Sequence, residues 1–198
     1  NLTGAWAMRV AIIGGGIGGF VTALSLHAAG IECQVFEMAP EIRPLGVGIN
    51  VLPHSIKELA DLGLLPRLEA AGVCTRELVY ASKRGEVVWR EPRGRFAGYK
   101  WPQVSIHRGT LQMLLYQAAL ERIGPDNIHT GHRLFDIRQH GEQATLSFKK
   151  PDSNQDLPSF EADLVIACDG IHSTVRAKYV PGDGPPVWSG MILWRGTT

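Results

Sequence analysis

Apolar residues follow two rhythms along this chain. Met8 to Ile13 is a nearly unbroken apolar run, the pattern of a strand buried on both faces of a parallel sheet. From Ile17 to Ala29 the apolar positions return at Ile17, Phe20, Val21, Leu24 and Ala28, a helical period closed by Gly30. Glu32 to Phe36 reads as a second short strand. The order predicts a right-handed βαβ unit.

Further on the rhythm changes. Glu41 to Val51 is expected to be a loop, because Pro44, Gly46 and Gly48 interrupt any period. Pro53 suits the first turn of a helix through Lys57, Glu58 and Leu62, ended by Gly63. Val79–Ser82 and Val87–Arg90 read as strands around a Lys83–Glu86 turn, followed by a loop marked by Pro92, Gly94, Gly98 and Pro102. His107 to Ile123 has the period of a helix, with Leu111, Leu114, Leu115 and Ala118 on one side. Strands are expected at Asn127–Thr130, Leu134–Gln139 and Ala144–Lys149, then a polar loop from Pro151 to Pro158. Leu164–Ala167 returns to the buried-strand pattern, Ser173 is placed to cap a short helix, and Val187–Trp194 reads as a last strand. Alternation first and hairpins later predict an α/β fold: a parallel sheet with an inserted antiparallel β-ribbon.

Charge narrows the partners. Twenty basic against nineteen acidic side chains leave a net charge of +1. That provides no one-signed field for nucleic acid or an anionic membrane. Cys33, Cys74 and Cys168 are odd in number and widely spaced, with no C-x-x-C pair. A reducing, cytoplasmic setting is expected, without disulfides or zinc. No apolar run reaches membrane-spanning length, and Asn1 to Ala7 has no basic start of a secretory signal. The seven histidines form no ligand pattern, and no serine lies in a G-x-S-x-G setting, so no metal ligand or nucleophile is assigned.

The chemistry lies where the first strand ends. Gly14, Gly16 and Gly19 form G-x-G-x-x-G between strand and helix. Gly14 permits the sharp turn, Gly16 lets backbone approach a diphosphate, and Gly19 lets helix and strand pack closely. The amides opening the helix at Ile17, with its dipole, would hold the diphosphate. Glu37 lies 23 positions after Gly14, at the offset of a carboxylate that bonds ribose hydroxyls. An acid there argues against a 2′-phosphate, hence against NADP in this position. FAD and NAD both satisfy the signal. Arg43 and Gly46-Val47-Gly48 follow in a long loop, where glycine backbone could run close to a flat ring and Arg43 could meet a phosphate, or be a plain surface arginine. Asp169-Gly170, after the late apolar strand, sits where open α/β sheets bind ligands, or caps the next helix. Arg108 opens a helix whose dipole opposes its charge, a mismatch that mildly favours a functional role.

Three blocks together resemble the FAD-dependent aromatic hydroxylases, the single-component flavoprotein monooxygenases of the p-hydroxybenzoate and salicylate hydroxylase type. They are the N-terminal glycine fingerprint, Ile106-His107-Arg108-Gly109-Thr110-Leu111, and Cys168-Asp169-Gly170 running to Arg176. Within that family, Glu41–Asn50, Tyr99–Arg108 and Trp194-Arg195-Gly196 look most like phenazine-biosynthetic members. The resemblance implies a Rossmann-like FAD-binding domain in two parts, 8–73 and 105–180, with a β-rich substrate-domain segment at 74–104 and the start of a substrate domain at 181–198. It implies reduction of FAD by NAD(P)H, and hydroxylation of a small aromatic or heteroaromatic substrate by O2 through a flavin C4a-hydroperoxide. It implies cofactor contacts from Gly14, Gly16, Ile17, Gly19, Glu37, Arg43, Gly48, Arg108, Asp169 and Gly170, and from the backbone of Leu134 near the adenine. No catalytic acid or base is expected, since the flavin is itself the catalyst.

The family's later Gly-Asp block is not found. Gly182-Asp183 lies among prolines only 14 residues after Asp169, without a preceding strand. The chain is therefore read as an amino-terminal portion, inactive alone. An FAD-dependent oxidase or halogenase on the same fold, or a non-catalytic nucleotide-binding module, are the alternatives.

Overall fold

The computed structural model describes residues 8–192. In chain order the elements are β1 (Val10–Ile13), α1 (Ile17–Ala28), β2 (Cys33–Phe36), β3 (Gly48–Val51), α2 (Pro53–Asp61), α3 (Leu65–Ala71), β4 (Val73–Cys74), β5 (Glu77–Ala81) and β6 (Val87–Pro92). There follow β7 (Val104–His107), α4 (Arg108–Ile123), β8 (Ile128–His129), β9 (Arg133–His140), β10 (Gln143–Lys149), β11 (Asp156–Ala162), β12 (Leu164–Ala167) and α5 (Thr174–Tyr179), with single 3-10 turns at Gly94–Ala97 and Pro125–Asn127. They form two compact units: the chain up to Arg43 with Leu115–Ile192, and Pro44–Leu114.

The first unit is built on a four-stranded sheet in the order β12-β1-β2-β8, parallel throughout. All four residues of β1 are buried, as its continuous apolar run predicts for a central strand. Side chains alternate across a strand. Ala11 and Ile13 join Phe36, Leu134, Ile137, Leu146, Phe148 and Ala162 in a core beneath a second, antiparallel sheet ordered β11-β10-β9. Helix α1 buries Gly19, Phe20, Ala23 and Leu24, and Phe20 meets Tyr116 of α4 at a ring distance of 5.3 Å.

The second unit pairs β3 and β4 with the central β7, all antiparallel. Its core holds Val51, Ile56, Leu59, Leu64, Leu68, Val104, Ile106 and Leu111. β5 and β6 form a separate two-stranded ribbon on which Tyr80, Val87, Val88 and Trp89 are exposed.

Several expectations are corrected. The Glu41–Val51 loop ends in a strand, β3, whose ladder partner β7 lies within the stretch between the predicted loop and the predicted helix. That helix starts at Arg108, with His107 in β7, and α3 follows α2 unannounced. The polar loop before Pro158 also gives way to a strand. β11 carries Pro158 on a sheet edge, at the irregularity between the Leu146–Phe160 and Phe148–Leu157 pairs, where a missing N–H is tolerated. Residues 187–192 form no strand, and the rest of the predicted Val187–Trp194 strand, like Trp194-Arg195-Gly196, lies outside the described residues.

Candidate functional site

The fingerprint turn lies at the carboxyl end of β1. The amide of Gly14 donates to the Phe36 carbonyl (2.8 Å), and that of Cys168 donates to the Ile13 carbonyl (2.7 Å), so β2 and β12 flank the turn. Gly14 has φ +108°, a region that favours glycine, and a Cβ there would lie 2.3 Å from the Cys168 carbonyl oxygen. A Cβ on Gly19 would fall 1.8 Å from the Gly14 carbonyl oxygen, so the start of α1 packs directly on the turn. Gly16, by contrast, faces open space. It forms the N-cap of α1 without a capping side chain, leaving the first-turn amides free of a side-chain partner. This is a helix start shaped to receive an anion.

Glu37 follows β2 and turns toward that helix start. Its Oε2 accepts from the Gly15 amide at 2.5 Å, and its Oε1 accepts from the Ala39 amide at 2.7 Å. Each oxygen keeps a second lone pair for a further donor. Gly15, a variable position of the motif, is one of the two residues that fix the carboxylate, and the motif spacing alone does not reveal it.

Asp169 occupies the matching place after β12. Its Oδ2 accepts from the amides of Thr174 (2.8 Å) and Val175 (3.3 Å), so it does cap α5, together with Ser173, whose Oγ accepts from the Arg176 amide at 2.9 Å. Its Oδ1 is buried and has no hydrogen-bond partner. A buried oxygen left unbonded is costly, and a ligand hydroxyl would relieve it. Gly170 continues the turn at φ +75° beside open space. A cavity of about 590 Å³ runs along this edge, lined by Gly18, Cys168, Asp169, Gly170, Arg176 and Tyr179 among others. Cys168 Sγ there lies 3.8 Å from Thr22 Oγ1.

The other candidates stand in settings of their own. Arg43 is exposed and pairs with Glu41 at 2.7 Å, as a surface arginine would. Leu134 sends its side chain into the core. Arg176 is engaged by the Ile171 carbonyl (2.6 Å) and by Asp183 (3.2 Å), which makes Gly182-Asp183 part of the turn after α5. In the second unit, Gly48 opens β3, and Arg108 is exposed at the start of α4 with its stem against Gly46. Burial raises the pKa of Cys33, in keeping with a structural thiol. Among the described residues no group of three or more His, Cys, Asp or Glu could hold a metal, and no helix is long and apolar enough to cross a membrane.

An open helix start, a carboxylate at the neighbouring strand end and a buried, unbonded carboxylate oxygen match what a dinucleotide presents: diphosphate, ribose diol and further hydroxyls. The residues fit FAD.

Relatives agree. A family model described as an FAD binding domain matches residues 7–181. The chain is 44% identical, over its whole length and 49% of the relative, to a phenazine 1,6-dicarboxylic acid hydroxylase of Lysobacter antibioticus. It superposes on p-nitrophenol 4-monooxygenase of Pseudomonas putida with TM-score 0.76 at 25% identity, covering 85% of this chain and 42% of the other. It superposes on HpxO of Klebsiella pneumoniae, solved with FAD and uric acid, with TM-score 0.71 at 28% identity, covering 90% and 43%. The chain spans about half the length of the curated relatives it matches. It belongs to the FAD-binding-domain family.

Proposed function

We propose that this chain supplies the FAD-binding part of a monooxygenase that hydroxylates a small aromatic or heteroaromatic ring. When bound, FAD supplies two-electron redox chemistry between NAD(P)H and O2, with one oxygen atom going to the ring and the other leaving as water. The chain's own residues bind and orient the cofactor. The α1 amides of Ile17, Gly18 and Gly19 meet the diphosphate, helped by the helix dipole. Glu37 accepts from the ribose hydroxyls while the Gly15 and Ala39 amides hold it still. Asp169 Oδ1 and the Gly170 turn take a further hydroxyl, which ends the isolation of that oxygen. Gly14, Gly16 and Gly19 keep the backbone close enough for all of this.

Arg43, Gly48, Arg108 and the Leu134 backbone are assigned as further cofactor contacts, Arg43 after exchanging Glu41 for a phosphate. The names of the relatives support the substrate class, and three free thiols suit a reducing, cytoplasmic setting.

The observation that carries the reading is the uncapped α1 start with Glu37 bonded beside it. Purification of the protein with FAD tests it. A retained visible flavin band, lost when Asp169→Ala and Glu37→Arg are combined, is expected. A protein that stays colourless and leaves added FAD fluorescence unquenched would overturn it.

A further inference from the structure

Glu37 is held not only at its carboxylate. Its backbone amide donates to the His129 carbonyl (2.8 Å), its carbonyl accepts from the His132 amide (2.9 Å), and the Gly131 amide donates to Ala39 (2.9 Å). β8 and the turn after it therefore clasp the end of β2. The rings on this clasp are packed as closely as its backbone. His129 stacks on Phe36 with centroids 4.7 Å apart and planes at 18°, and its Nε2 lies 2.8 Å from Gln34 Oε1. His132 donates from Nδ1 to the Thr130 carbonyl (2.8 Å) and meets Phe148 edge-on at 5.7 Å. The two imidazoles are 5.4 Å apart.

We infer that His129 and His132 are positioning residues for the Glu37 carboxylate, and that they hold it in place only while the His129 ring is neutral. The inference rests on the reading of Glu37 as a cofactor contact. A neutral imidazole needs one N–H acceptor, and each ring has one, at Gln34 and at Thr130. A proton added to the His129 ring brings a charge and a second N–H onto a half-buried ring stacked on Phe36. That charge would lie 5.4 Å from the His132 ring. The surroundings offer no carboxylate to compensate. β2 presents Gln34 and Phe36, β10 and β11 present Phe148 and Phe160, Glu37 is turned to Gly15 and Ala39, and the neighbouring Arg133 is engaged by Asn154. A charged ring on the Phe36 face regains part of the loss by cation–π attraction. Burial first, and the charge of His132 second, nevertheless lower the pKa of His129. Charging the His129 ring draws it toward water, opens the clasp and lets the Glu37 backbone shift, and with it the bond to the Gly15 amide.

The test follows the Gly15 amide resonance and the two imidazole resonances by NMR across pH in the protein without FAD, and FAD affinity by fluorescence quenching in parallel. The Gly15 signal is expected to shift with the midpoint of the His129 ring, and FAD affinity to weaken by about tenfold between about pH 7 and about pH 5. His129→Gln with His132→Asn keeps an N–H toward each acceptor but cannot titrate. It is expected to retain affinity near pH 7 and to flatten both profiles. A Gly15 signal that ignores the ring titration in the wild type, or an affinity profile unchanged in the double variant, would overturn the inference. If FAD fails to bind at every pH, the cofactor reading falls, while the Gly15 resonance still decides the positioning claim.

Discussion

Gly19 carries a sharper demand than its neighbours in the fingerprint. A methyl group there would fall 1.8 Å from the Gly14 carbonyl oxygen, and neither backbone segment can give way without moving α1 off β1. Gly19→Ala is expected to cost about 1–3 kcal/mol or more, as overpacking does. A fall in the urea midpoint would register it, and an unchanged midpoint would show that the turn is looser than described. At Gly16 a methyl group meets nothing within 4 Å, so Gly16→Ala is expected to leave the midpoint nearly unmoved while weakening FAD affinity. The contrast separates a glycine needed for packing from one needed for a ligand's approach. Individual residues were legible in the sequence where their spacing is local: Gly14, Gly16, Gly19 and Glu37 all lie within one βαβ unit. The unbonded Oδ1 of Asp169 was not legible, because it depends on how α5 folds back over the carboxylate.

Elements show the same division. The β1–α1–β2 unit follows from periodicity and one motif, and Ser173 caps α5 as its position suggests. β3 and β7 were missed because they pair with each other across a long stretch of chain, and β11 because Pro158 inside it masks the alternation. One link between elements makes a pH prediction. Asp136 on β9 bonds Lys178 of α5 and Arg138, and these contacts, Lys178 first, lower its carboxyl from an ordinary 3.8 to about 2. A carboxyl depressed in the folded state stabilises above its unfolded value, and that contribution is lost as pH falls toward the folded one. Asp136→Asn is therefore expected to lower the thermal midpoint at neutral pH and to show a smaller further loss between pH 3.8 and about 2 than the wild type. Identical acid profiles would mean that the β9–α5 link contributes nothing.

At the scale of the molecule, the α/β character, the parallel sheet and the family were legible because they sum many local signals that agree. The two-stranded β5–β6 ribbon, with Val88 and Trp89 exposed, has too few strands to be stable by itself and relies on its surroundings. A ligand that binds only the folded state stabilises by mass action, about 2.7 kcal/mol at a hundredfold excess over Kd. FAD is therefore expected to raise the midpoint of the first unit in a concentration-dependent way, and AMP, which shares its adenosine and a phosphate, to do so more weakly. In the proposed function the Gly14–Gly19 turn and Glu37 together form an FAD cradle. Equilibrium titration of FAD into the wild-type chain and into Glu37→Arg tests it most directly. Saturable quenching of flavin fluorescence is expected in the wild type, with a loss of affinity of about tenfold or more in the variant. Equal affinity in both proteins would contradict it.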